Sequence, residues 1–122
     1  MAGSIDLWAW QYRPLIVVAP DAEDPRLLEQ RTQLSGLQDQ LRDRDMAVVE
    51  LVGGQARTIA GPAVEIDVAR LVERLGLSVD RFEVLLVGKD TGIKLRSSEP
   101  VIATDLFGLI DGMPMRRREM RQ

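Results

Sequence analysis

The chain has 122 residues, 45% of them apolar and 29% charged, and a formal net charge of −3; this is the composition of one globular domain spanning residues 1–122 and excludes a disordered chain. It contains no cysteine and no histidine, which excludes disulfides, thiol redox chemistry, thiolate metal centres and imidazole catalysis. The charge is uneven: residues 1–80 carry −5 and residues 81–122 carry +2, with the basic excess in the final RRREMRQ.

No apolar run reaches the roughly 18 residues of a membrane span. The opening MAGSIDLWAW lacks the basic start and long apolar core of a leader. LIVVAP (15–20) is an unbroken apolar, β-branched run and reads as a strand buried on both faces. DAEDP follows, with Asp24 as N-cap and Pro25 at the first helical position. The helix places Leu27, Leu34, Leu37 and Leu41 on one side, and Gly36 weakens or breaks it. MAVVELV (46–52) is a second strand ended by Gly53-Gly54. Strand, helix and strand in that order imply a parallel pair.

Residues 55–66 read as loop, punctuated by Gly61-Pro62. Asp67 caps an amphipathic helix with Val68, Leu71, Val72 and Leu75 on its buried side, and Gly76 suits the left-handed position beyond its end. RFEVLLVG (81–88) and GIKLR (92–96) are strands joined by KDTG. A last helix begins near Thr104, presents Leu106, Phe107, Leu109, Ile110 and Met113, and ends at Gly112 and Pro114. The expected order is β-α-β-α-β-β-α, an α/β fold with a four-stranded mixed sheet flanked by helices.

LLVGKDTGIKLR (85–96) contains the Gly-Lys pair that closes many phosphate loops. Such a loop needs a glycine five positions earlier, a hydroxyl residue after the lysine, and a helix beginning there. Glu83 and Asp90 stand at the first two places, and IKLR is no helix start. The segment is therefore read as a turn, with Asp90 and Gly92 as its turn residues.

The element order resembles the thioredoxin-like core. That resemblance implies a Cys-x-x-Cys pair at the start of the first helix and a cis-proline before the third strand. DAEDP and VDRFEVLL stand there instead, so redox chemistry does not carry over. WQYRPLIVVAP, DPRLLEQ, Arg44-Asp45, LLVGKDTGIKLR and LFGLIDGMPMRRREM together give a closer match. They resemble a bacterial family of small domains of unknown function, shared with vertebrate sushi-repeat-containing proteins and a matrix protein down-regulated by oncogenes. Thr91 departs from the Lys-Asp-Gly-Gly expected there. The resemblance implies a thioredoxin-like fold, no catalytic residue to transfer, and a periplasmic or secreted location, a cytoplasmic one being the alternative.

Several groups are candidates for binding. Arg116, Arg117 and Arg118 suit an anionic partner, or else complement the end of the last helix. Lys94 and Arg96, with Lys89 at the turn, extend this into one basic patch, or guard a sheet edge. Trp8, Trp10, Tyr12 and Arg13 form an aromatic cluster that anchors a partner or packs over the sheet end. Asp21, Glu23 and Asp24 have oxygen ligands for a divalent cation, but their spacing matches no known loop and capping already accounts for them. Neither a metal nor a cofactor is expected. The leading expectation is a non-catalytic module that binds another protein or an anionic polymer, without specific nucleic-acid recognition. The alternatives are an anion-binding module using the C-terminal arginines and an enzyme using carboxylates of loop 19–25 with Arg13.

Overall fold

A computed structural model describes residues 5–121. A 3-10 turn, Ile5–Trp8, leads into β1 (Arg13–Ala19). Then come α1 (Pro25–Leu34), α2 (Gln38–Asp43), β2 (Met46–Val52), β3 (Gln55–Ala60) and α3 (Val68–Leu75). The remaining elements are β4 (Glu83–Val87), β5 (Ile93–Ser97), α4 (Ala103–Asp111) and α5 (Pro114–Met120). The strands form one five-stranded mixed sheet in the order β3-β2-β1-β4-β5. Only the central β1–β2 pair is parallel, with Leu15 opposite Val48; β1–β4, β2–β3 and β4–β5 are antiparallel.

The sheet has five strands rather than the expected four. Gly53 and Gly54 both take positive φ, 57° and 79°, and turn the chain back so that Val52 faces Gln55. Residues 55–60 of the segment 55–66 read as loop form the edge strand β3, whose Ala56, Thr58 and Ala60 are half-buried while Gln55, Arg57 and Ile59 are exposed. Gly36, at φ 76°, divides the first helix into α1 and α2. The C-terminal arginines do not trail after the last helix: Pro114 opens a second helix, α5, at its first turn.

Alternate residues of each central strand feed two cores. Ile16, Val18, Val49, Leu51, Leu85 and Val87 pack under α3, with Leu71, Leu75 and Trp8. Leu15, Val17, Val48, Val84 and Leu86 pack under α1, α2 and α4, with Leu27, Leu41, Leu106 and Ile110. These aliphatic side chains are almost fully covered, each worth about 1.5–3 kcal/mol of burial. Glu50 lies in the sheet among them and is held by Arg31 of α1 through hydrogen bonds of 2.8 and 2.7 Å.

Both expected caps form. Asp24 accepts from the Arg26 amide at 2.9 Å, Asp67 accepts from the Arg70 amide at 3.1 Å, and Gly76 takes the left-handed conformation with φ 65°.

Candidate binding groove and its charged wall

The start of β1, the start of β2 and the end of β4 lie at one end of the sheet, because β4 runs antiparallel to β1. Arg13, the first residue of β1, is 1% exposed there. It donates to the Arg44 carbonyl at 2.8 Å and grips the Glu119 carboxylate with both terminal nitrogens, at 3.2 and 3.0 Å. Lys89, buried just after β4, bridges Glu119 at 2.7 Å and Asp45 at 2.8 Å. Arg116 bonds the Asp43 carboxylate at 2.6 Å, its carbonyl at 2.7 Å, and Asp111 at 3.0 Å. Arg44 takes the other side of Asp111 at 3.1 and 2.9 Å and stacks on Phe107, 4.3 Å from the ring centre.

Four buried cations thus meet Asp43, Asp45, Asp111 and Glu119 in one network that fastens α5 to the sheet. Burial pushes the Glu119 carboxyl up, but the hydrogen bonds from Arg13 and Lys89 outweigh it and hold the group below the ordinary carboxylate range. Asp111 behaves in the same way: burial raises it, and Arg44 and Arg116 lower it further.

Beside this network lies a groove of about 780 Å³ between the N-terminal segment, the β4–β5 turn, α4 and α5. Arg13 and Lys89 form its wall, Lys94 and Arg118 its rim, and Trp10, Leu109 and Met115 its apolar surface. Trp10 is 65% exposed, at a strained φ of 67°, pinned by its amide to the Lys89 carbonyl at 2.7 Å. Gly108, in the middle of α4, opens onto the groove, and a Cβ added there would meet nothing within 4 Å.

The groove therefore assembles Trp10, Arg13, Lys89, Lys94 and Arg118, five of the residues singled out in the sequence. Trp8, Tyr12, Arg96, Arg116 and Arg117 do not line it. Arg116 is not part of an open patch, since its guanidinium is buried in the network. Arg117 and Arg118 are exposed, and no ion pair among the described residues engages them. Arg96 turns to the carbonyl of Leu75 at the end of α3, and Lys94 pairs with Asp90 at 2.9 Å. Trp8 is 1% exposed inside the α3-side core, so it is no partner surface. Tyr12 is half-buried against that same core.

Asp21 and Asp24 are used locally, Asp21 accepting from the Glu23 amide at 2.9 Å. No group of three or more acidic side chains among the described residues is placed to hold a metal ion. Arg13 stands at the opposite end of β1 from loop 19–25, about 20 Å away at strand rise, so those carboxylates and Arg13 do not share a site. No helix among the described residues is long and apolar enough to cross a membrane.

Sequence reasoning missed Asp43, Asp111 and Glu119 as partners of the buried cations, and Leu109, Gly108 and Met115 as the groove surface. One signal was present: after Pro114 opens a helix, Arg116 and Glu119 stand three apart and therefore share a face.

The architecture is that of a cysteine-free α/β domain with helices on both faces of a mixed sheet and a basic, aromatic groove at one sheet end. The chain belongs to the family described as domain of unknown function (DUF4174), which it matches over residues 4–119. It is similar to coiled-coil domain-containing protein 80 of Danio rerio, with 29% identity over 128 residues that cover 91% of this chain. The match spans 15% of that relative's length. No solved structure matches the chain.

Proposed function

We propose that this is a non-catalytic, thioredoxin-like domain that works outside the cytoplasm by binding an acidic segment of another protein in the groove. The thioredoxin-like reading is supported by the order β2-β1-β4-β5 and its strand directions, with β3 as an added edge. The exported location rests on the resemblance to extracellular relatives and to bacterial ones. The binding reading is carried by Gly108. A glycine inside a helix costs about 1 kcal/mol against alanine, and nothing packs close enough to this one to require it. Its effect is to leave open a groove that the strained, exposed Trp10 also lines. The lining holds Arg13, Lys89, Lys94 and Arg118 against the single acid Asp90, which favours an acidic occupant.

Crosslinked capture from the native source tests this with Gly108→Leu, which adds a side chain to the groove lining at a position where its Cβ meets nothing within 4 Å. The expected result is a partner held by the wild-type chain and lost by Gly108→Leu, at unchanged or raised melting temperature. A partner held equally by both would remove the groove as the binding surface.

A second reading is an anionic polymer bound on Arg117 and Arg118, supported by their exposure. It predicts binding that falls steeply with salt and is lost in the Arg117→Ala/Arg118→Ala double variant, yet is indifferent to Gly108→Leu.

A further inference from the structure

Two residues of the groove wall, Arg13 and Lys89, already share a carboxylate, that of Glu119, which stands behind the lining. Its two cations are held in place by other groups: Arg13 by the Arg44 carbonyl and Lys89 by Asp45. The planar fork of Arg13 with an ammonium beside it is a receptor matched to a carboxylate's two oxygens. The side chain of Glu119 is 26% exposed, against 1% for Arg13 and 8% for Lys89.

Helix α5 is anchored in its first half by Arg116, but the last turn, which carries Glu119, is lightly fastened. Helix α5 has seven residues, no side-chain N-cap and one buried residue, Arg116, in its first half. In the last turn Arg117, Arg118 and Met120 are exposed, so Glu119 is what ties that turn to the sheet. Withdrawing Glu119 alone would leave buried Arg13 with no counter-charge and Lys89 with Asp45 only, which is costly. Replacing it with another carboxylate keeps every charge paired.

We propose that Arg13 and Lys89 form a carboxylate receptor occupied by Glu119 in the resting chain, and that an acidic side chain of the groove's occupant displaces it, releasing the last turn of α5. This rests on the groove reading and adds exchange to it. The receptor is autoinhibited by the chain's own helix, and its ligand class is a peptide carboxylate.

Hexaglutamate peptide is the probe, with hexaglutamine as its uncharged counterpart. Binding is read by calorimetry on the wild-type chain, Glu119→Gln, Gly108→Leu, and Glu73→Gln as an exposed acid on α3. Removing the internal competitor is expected to tighten hexaglutamate binding about tenfold or more, with Glu73→Gln unchanged within about twofold. Because Glu119→Gln leaves buried Arg13 without a counter-charge and can loosen the fold, hydrogen exchange on the wild-type chain gives an independent reading. Amides of residues 117–121 should lose protection when hexaglutamate binds.

Equal affinities for wild type and Glu119→Gln, equal tightening by Glu73→Gln, or unchanged protection of the last turn would each overturn the exchange. If hexaglutamate still binds and Gly108→Leu blocks it, the groove reading survives that failure. If hexaglutamate binds none of the forms, both readings fall.

Discussion

Where β1 runs into α1, charged groups bond their neighbours in sequence; at the other end of the same strand most of their bonds, though not Arg116 to Asp111, reach partners 30 to 106 residues away. At the first end Asp24 holds the amide and guanidinium of Arg26, two positions on, and Arg26 lies over Phe82 at 5.3 Å. At the second, Arg13, Arg44, Lys89 and Arg116 tie β1, β2, β4, α4 and α5 into one unit. The first end is a capped helix start. The difference teaches that local charge pairs shape one element, whereas long-range buried pairs decide how elements meet.

Breaking the two ends should cost different amounts. Arg13→Ala removes a buried partner of Glu119 and of the Arg44 carbonyl, and a loss of about 3–5 kcal/mol is expected from urea unfolding. A loss near 1 kcal/mol would show that the network is a surface feature.

Acid should sharpen the contrast. Glu119 and Asp111 are held below the ordinary carboxylate range. Their contribution to stability is therefore complete above the unfolded value of about 4 and is lost as pH falls through the depressed folded values. Unfolding midpoints between neutral and strongly acidic pH should drop less steeply in Glu119→Gln than in the wild type. Parallel curves would mean that the pairing does not stabilise the folded state.

At the other end, Asp24→Ala removes an N-cap and its Arg26 contact. About 1 kcal/mol is expected by the same unfolding assay, with no change in how α5 exchanges its amides.

The smallest effect falls at Thr91, a β-branched residue at φ 69° in the β4–β5 turn. Thr91→Gly should stabilise by about 0.5 kcal/mol, the relief of the left-handed conformation less the entropy glycine adds to the unfolded chain. A melting temperature that falls would show that the threonine side chain makes a contact that outweighs its strain.

The parts of the fold legible in the sequence were those that bury contiguous apolar runs. LIVVAP, MAVVELV and the stretch around Leu85 announce central strands because both their faces are covered. Val68, Leu71, Val72 and Leu75 announce α3 because one face is. QARTIA went unread because an edge strand needs only small inward residues, and Ala56, Thr58 and Ala60 carry little signal. Three arginines in a row looked like one exposed patch, yet Pro114 starts a helix that turns Arg116 inward and leaves Arg117 and Arg118 outside. Arg13 was noticed for its aromatic neighbours, while its real partner stands 106 positions away, beyond the reach of any local pattern.

That separation has a consequence for how the molecule comes into being. During synthesis Arg13 leaves the ribosome early, and Glu119 emerges more than a hundred residues later. Until then the first strand of the sheet carries a cation that has met only half its partners. The interval can close only after nearly all of the described chain has been made, which places the docking of α5 among the late steps of folding. A chain halted shortly before Glu119 would hold a nearly complete sheet with Arg13 and Lys89 still seeking their shared carboxylate, a state open to recognition as unfinished.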